Sequence, residues 1–222
     1  PQRAVRWTKA WLSRARAAFQ PPATPECPDG LRAADWEALT EPGRRIVWHF
    51  RYGVRDGVPA GYDDLLTVAT SHFAEGRSAI VVVPDWRDIA LCEQSLRQSV
   101  GDDDIVVFGP DLTPSETYAR HLLCLEDRPR IVLGSRRAVY APVSHLGLIA
   151  VVSDGDESLR EQLAPYPHSR DVALVRAEQT GASVVLAGFS PSIEAVRYVD
   201  MEYFESVSSD RHTRPRVLPT SL

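Results

Sequence analysis

The sequence predicts an α/β domain built on a mostly parallel sheet with helices on both faces, and three observations carry that expectation. Short runs rich in β-branched residues recur at 79–83, 105–108, 131–133, 148–152 and 183–187 without polar alternation, as in strands buried on both sides. Helical segments separate most of these runs, which is the strand–helix–strand order of parallel crossovers. Finally, two runs open onto polar clusters, Gly134-Ser135-Arg136-Arg137 and Ser153-Asp154-Gly155-Asp156-Glu157, where the carboxyl edge of such a sheet places functional loops.

Residues 3–19 put Trp7, Trp11, Ala15 and Phe19 at four-residue spacing among arginines, a basic amphipathic helix. Its Trp stripe has two readings, docking on the domain body or contact with a nucleic-acid backbone. Pro21, Pro22, Pro25, Pro28 and Gly30 then make an extended linker, so that residues 1–30 form an appendage. The domain proper is expected over 31–205. A helical turn is expected at 34–39, capped around Asp35, and a strand at 45–52. The loop 53–61 leads to a helix over 63–75 that Gly76 terminates. Further helices are expected at 86–100, 115–126, 169–180 and 192–199. The segment after Glu205 reads as a flexible tail over 206–222.

Composition narrows the function classes. The 222 residues are 44% hydrophobic and 25% charged, an ordinary globular balance. No run approaches the roughly 18 apolar residues of a membrane helix, and the basic N-terminus lacks the apolar core of a secretion signal, so a cytoplasmic location is expected. Cys27, Cys92 and Cys124 form no C-x-x-C pair, and the six histidines form no H-x-x-x-H pair; no metal site is expected. The net charge of −5 divides into +5 on residues 1–20 and −10 on the rest, so any nucleic-acid contact must be local. Lys9 is the only lysine; the other 24 basic residues are arginines. Gly188-Phe-Ser190-Pro-Ser192 only faintly resembles G-x-S-x-G, with Ser in place of the final Gly, and no G-x-G-x-x-G follows a strand. Serine hydrolases and dinucleotide enzymes are set aside.

Five landmarks in order carry a family resemblance. Ile80-Val-Val-Val-Pro84-Asp85 resembles the strand and "VPE" motif of superfamily 2 helicases. Ile131-Val-Leu-Gly134-Ser135-Arg136-Arg137-Ala138-Val139-Tyr140-Ala141-Pro142 looks like "IGTRSALFAP" of the replication-restart helicase family PriA (primosomal protein N′). Leu146-Gly147-Leu148-Ile149 resembles the "LGLI" before that family's acidic motif, and His168-Ser169-Arg170-Asp171-Val172-Ala173 its "HARDVA". Gly188-Phe189-Ser190-Pro191-Ser192-Ile193-Glu194 is similar to "GSATPSLE", the motif that couples hydrolysis to DNA movement. Tyr166-Pro167-His168 also looks like the actinobacterial branch, where helicase motifs are eroded. The resemblance covers about residues 63–199 and implies a RecA-like, P-loop NTPase-like first motor lobe.

It also implies where a nucleotide site would stand. A P-loop, G-x-x-x-x-G-K-[ST], cradles phosphates on backbone N–H groups, with its lysine on the β/γ oxygens and its hydroxyl on magnesium. The corresponding loop holds Gly53, Arg55, Gly57 and Gly61, but Gly61 and Tyr62 stand where Lys and Thr belong, and Asp56, Asp63 and Asp64 add negative charge. Pro59 removes a backbone donor, and Arg55 could approach a phosphate but with a different shape and reach from the missing lysine. At the acidic motif, Ser153 and Asp154 replace the family's Asp-Glu pair; a one-residue slip would put Asp154 at the metal with Asp156 or Glu157 nearby. Phe189 replaces a small residue in the coupling motif Gly188, Ser190, Pro191. The expectation is a lobe that has lost ATP hydrolysis and needs no cofactor, with ATP and magnesium entering only if it is an active 3′–5′ DNA helicase lobe.

The family's DNA contact falls on Ser135, Arg136 and Arg137, residues suited to phosphate; the alternative is a pair of surface arginines bridging to acids. Trp86 and the Trp7/Trp11 helix are further candidate contacts. Arg170 and His168 read as structural, with Arg170 salt-bridged beside the acidic loop. Asp102–Asp104 reads as a solvated turn facing away from DNA. Expected partners are single-stranded or forked DNA and primosome or replication proteins, with no membrane; a protein-interaction scaffold without DNA contact is the reading from another class.

Overall fold

The computed structural model describes residues 19–55 and 57–208. The expected basic helix with Lys9, Trp7 and Trp11, the loop residue Asp56 and the segment 209–222 lie outside the described residues. Among the described residues nine strands and six α-helices follow in chain order: α1 (Ala33–Thr40), β1 (Arg45–His49), β2 (Val54–Arg55), β3 (Val58–Pro59), α2 (Ala60–Ala74), β4 (Ser78–Val82), α3 (Trp86–Leu96), β5 (Ile105–Phe108), α4 (Pro114–Cys124), β6 (Ile131–Gly134), β7 (Leu146–Val152), α5 (Ser169–Thr180), β8 (Ser183–Gly188), α6 (Ile193–Asp200) and β9 (Glu205–Ser208).

Seven strands form one sheet in the order β5-β6-β4-β7-β8-β1-β9, with every pairing parallel; β2 and β3 make a separate antiparallel pair. Strand side chains alternate between two cores. Ile46, Trp48, Val81, Leu133, Leu148 and Val185 pack with Leu39, Leu65, Phe73 and Ile89 from α1–α3. Val47, Ile80, Val132, Ile149 and Leu186 pack on the other face with Cys124, Ala173, Ala177 and Ala195 from α4–α6. A central strand such as β7 is buried along its whole length, which is why it reads as an unbroken apolar run.

Local chemistry sets the ends of the elements. Asp85 caps α3 by accepting from the Arg87 N–H, and Thr113 with Glu116 forms a capping box on α4. Gly181, at φ +73°, closes α5 in the left-handed conformation that costs glycine little. Several boundaries differ from expectation. β1 ends at His49 because Arg51 turns to Asp64; α2 starts three residues early, over the glycine that the P-loop pattern suggested; α3 stops at Leu96; α1 begins after Arg32, whose guanidinium binds Asp35. Glu205–Ser208, at the expected start of the tail, is an edge strand on β1. Residues 102–104 form a 3-10 turn, with Asp102 paired to Arg97 and Asp104 to Arg128. The three cysteines are free thiols, two of them buried. Among the described residues no helix is long and apolar enough to cross a membrane, and no cluster of His, Cys, Asp or Glu is arranged to hold a metal.

Candidate functional site

Because all seven strands of this sheet run the same way, the loops singled out for the nucleotide, DNA and coupling motifs lie at one edge of the sheet, beyond the carboxyl ends of the strands. After β1, Phe50 extends the ladder by donating its N–H to Gly188 O at 2.8 Å, and the chain then folds into the β2–β3 hairpin. Gly53 and Gly57 take positive φ there, +129° and +83°. The Ala60 N–H, first in α2, donates to Gly53 O at 2.9 Å. Gly61 is buried in the first turn of α2 against Phe50; an added Cβ would lie 2.6 Å from Phe50 Cβ and 2.8 Å from its Cδ2. Its glycine identity serves close packing.

The charges around this hairpin are already paired. Arg51 binds Asp64 through two hydrogen bonds of 2.6 Å, and Asp64 is buried. Arg55 binds Asp63 at 2.9 Å and lies 3.7 Å from Asp64. Asp63 also accepts from Ser95 Oγ at 3.1 Å. Tyr62, in the expected hydroxyl position, donates to Asp88 at 3.1 Å, and burial followed by the Asp88 charge pushes its phenol well up. Over the same edge Phe189 stacks on Tyr52 at 5.3 Å and meets Phe50 at 5.7 Å, so the residue that departs from the coupling motif is part of an aromatic cluster.

The acidic loop after β7 is tied elsewhere. Ser153 sits at φ +52° and donates its N–H to Ala187 O at 2.7 Å. Asp154 is buried; its Oδ2 receives Arg170 Nη1 at 3.0 Å and Ser192 Oγ at 2.5 Å, while Oδ1 receives the Ser192 N–H at 3.3 Å. Arg170 also reaches Glu194 at 3.2 Å. The network joins the β7 loop, the start of α5 and the start of α6. No hydrogen bond or ion pair links Asp154 to the β2–β3 hairpin among the described residues. Asp156 instead caps a 3-10 turn through the Ser158 N–H at 2.8 Å. His168 caps α5 with Nδ1 and lies 3.3 Å from Asp156 O through Nε2; one neutral tautomer serves both contacts, and burial, then the Arg170 charge, lowers its pKa.

The basic cluster lies one loop away. Gly134 ends β6 where a Cβ would fall 2.7 Å from Phe108 O, so strands and loop approach closely there. Ser135, Arg136 and Arg137 line a cavity of about 260 Å³ with Phe108, Gly109, Pro110, Leu112 and Thr117. Arg137 is exposed and makes no hydrogen bond or ion pair with the described residues. Arg136 is tied down, with Nη1 3.3 Å from Ser158 O and Nε 3.6 Å from Glu161. Trp86 is 58% exposed at the start of α3, but its cavity is shared with Asp85, Asp88 and Asp156. Three carboxylates repel a phosphate chain, so Trp86 does not extend the basic surface.

The chain is 36% identical over 149 residues to the probable replication restart protein PriA of Mycobacterium tuberculosis, covering 67% of this chain and 23% of that protein. The chain is a PriA relative. It is also 37% identical over 133 residues to the probable PriA of Mycobacterium leprae (60% of this chain, 20% of that protein), and 29% identical over 148 residues to the PriA of Bacillus subtilis (66% and 18%). It thus spans about a fifth of the length of the PriA proteins it matches. Among solved structures it is similar to the UvsW helicase of bacteriophage T4, with 15% identity and a TM-score of 0.47 over 90% of this chain and 66% of that one. A DEAD box protein from Methanococcus jannaschii matches at 12% and 0.45, over 75% of this chain and 46% of that one. No family model matches.

Sequence reading placed Arg170 in a salt bridge beside the acidic loop, which is the Arg170–Asp154 pair, and offered acids as partners of the arginine pair, but it did not identify Ser192, Glu194 or Glu161 as those partners. Ser192 and Glu194 stood in the coupling motif without a role, and Glu161 carried no motif. Arg136 and Glu161 lie on different loops, and only the fold reveals their pairing.

Proposed function

We propose that this PriA-like lobe serves replication restart as a DNA- and partner-binding element that does not hydrolyse ATP. The observation that carries the reading is the occupation of the amino end of α2. A phosphate cradle needs free backbone N–H groups, a lysine and a magnesium-binding hydroxyl. Here the Ala60 N–H is engaged by Gly53 O, Tyr62 replaces the hydroxyl residue, and Arg51 and Arg55 are bonded to Asp64 and Asp63. A polyphosphate entering would meet carboxylates in the turn where a helix favours anions. Asp154, the nearest substitute for a magnesium ligand, has its oxygens engaged by Arg170 and Ser192. Mg-ATP does not fit these residues.

What remains suited to a ligand is the Ser135–Arg136–Arg137 cavity, whose hydroxyl and guanidinium groups match the phosphates of single-stranded or forked DNA. Replication proteins are the proposed partners, by the role that the relatives' names give. The test is binding of a labelled single strand by the chain and by R136A/R137A, with ATP turnover measured alongside. Binding that weakens steeply with salt and is lost in the double variant, at background turnover, is expected. Turnover stimulated by single strands would make this a working helicase lobe. Equal, salt-insensitive behaviour of both proteins would leave a protein-interaction scaffold.

A further inference from the structure

The loop from Arg160 to His168 carries an anion to the basic cluster. Its base is closed by a bridge between Arg160 and His168 and by the Glu161 N–H, which donates to Pro167 O at 2.9 Å; Tyr166 N donates to Leu163 O at 2.9 Å across the tip. Glu161 is held in place on this frame: Oε1 accepts the Gln162 N–H at 2.8 Å, and Oε2 lies 3.6 Å from Arg136 Nε. Those contacts hold its carboxyl below the usual range, the Gln162 N–H first and the charges of Arg136 and Arg137 also acting. The carboxylate is therefore anionic at neutral pH and lies 3.6 Å from Arg136, with the Arg137 charge also acting on it.

We infer that Glu161 is a built-in competitor for phosphate, an autoinhibitory contact that holds Arg136 until a nucleic-acid backbone displaces it. The inference rests on the DNA reading of Ser135, Arg136 and Arg137 and adds a regulator to it. The Glu161–Arg136 contact is an ion pair without a hydrogen bond, and Arg136 Nε has no hydrogen-bond partner among the described residues, so a phosphate can offer it the charge-assisted hydrogen bond that the carboxylate does not make. With Glu161 in place the cluster carries a net +1, from two guanidiniums and one carboxylate. Without it the cluster carries +2. Arg137 is exposed and makes first contact, while Arg136 joins only when its carboxylate pair opens.

The test uses the 222-residue chain, E161Q, R137A and R136A/R137A, with a labelled oligothymidylate as probe over a salt series. Glutamine keeps the length of the side chain and an acceptor for the Gln162 N–H while removing the charge. A half-exposed ion pair of this kind is worth a two- to fivefold change, so E161Q is expected to bind roughly two- to fivefold more tightly near physiological salt. The slope of log affinity against log salt should steepen by about 0.7, the value for one further single-strand phosphate neutralised. A merely structural Glu161 would leave that slope unchanged, and equal melting temperatures for E161Q and wild type exclude a folding defect. Unchanged affinity and slope in E161Q, with binding lost in R136A/R137A, would overturn the gate while leaving the DNA reading standing. Binding indifferent to R136A/R137A would overturn both.

Discussion

Removing the Arg170 guanidinium tests the Asp154 network most sharply. In R170A the Asp154 carboxylate stays buried between the β7 loop and α6, keeping only the Ser192 hydroxyl and N–H as partners. Breaking a buried pair by removing one member costs about 3–5 kcal/mol, because the remaining charge is stranded. The Glu194 contact adds little, since that carboxylate is half-exposed. For a domain of this size each kcal/mol moves the melting point by roughly 2–4 °C, so R170A should melt about 6–20 °C below wild type. The assay is thermal and urea unfolding of wild type, R170A, and D154N/R170L. No charge is stranded in the double variant: D154N retains an acceptor for Ser192 and R170L refills the volume, so more than half of the loss should return. An R170A protein within about 1 kcal/mol of wild type, or a double variant less stable than R170A, would refute a network held together by this charge pair.

Two further outcomes follow from other packing. Alanine at a helical glycine ordinarily gains up to about 1 kcal/mol, yet G61A should lose about 1–3 kcal/mol in urea unfolding, because its methyl would press on Phe50; a neutral or stabilised G61A would show that Gly61 is not a packing glycine. His72 is fully buried, with Nε2 3.1 Å from Leu39 O, and burial pushes its pKa down to about 4 from 6.5. Between these values the unfolded chain binds a proton that the folded chain refuses, so stability falls as pH drops from about 6.5 to 4, by up to roughly 3 kcal/mol. An H72Q variant should lose that part of the pH dependence, and an unchanged profile would place the titration elsewhere.

The fold was legible wherever a segment's own chemistry determines its state. β7 is buried on both faces and is written as an apolar run; α5 matches its expected bounds because His168 caps one end and Gly181 closes the other. Glu205–Ser208 was illegible because only Val207 is buried, and its order comes from pairing with β1, far from it in sequence. The β2–β3 hairpin was hidden for a similar reason, with two-residue strands in a loop whose glycines suggested a phosphate cradle. At the site, sequence placed the right loops on one edge and Arg170 in a salt bridge beside the acidic loop, but not the other partners. The pairs Arg51–Asp64, Arg136–Glu161 and Asp154–Ser192 cross between elements, and side-chain pairing of that kind leaves no periodic trace.

The central claim is that the amino end of α2 no longer receives a nucleotide, and a calorimetric titration of the chain with Mg-ATP up to millimolar concentration tests it most directly. No saturable heat is expected and, in parallel, no rise in melting point, since a ligand held by the folded state alone must stabilise it. Saturable binding accompanied by a higher melting point would restore a nucleotide site to this lobe.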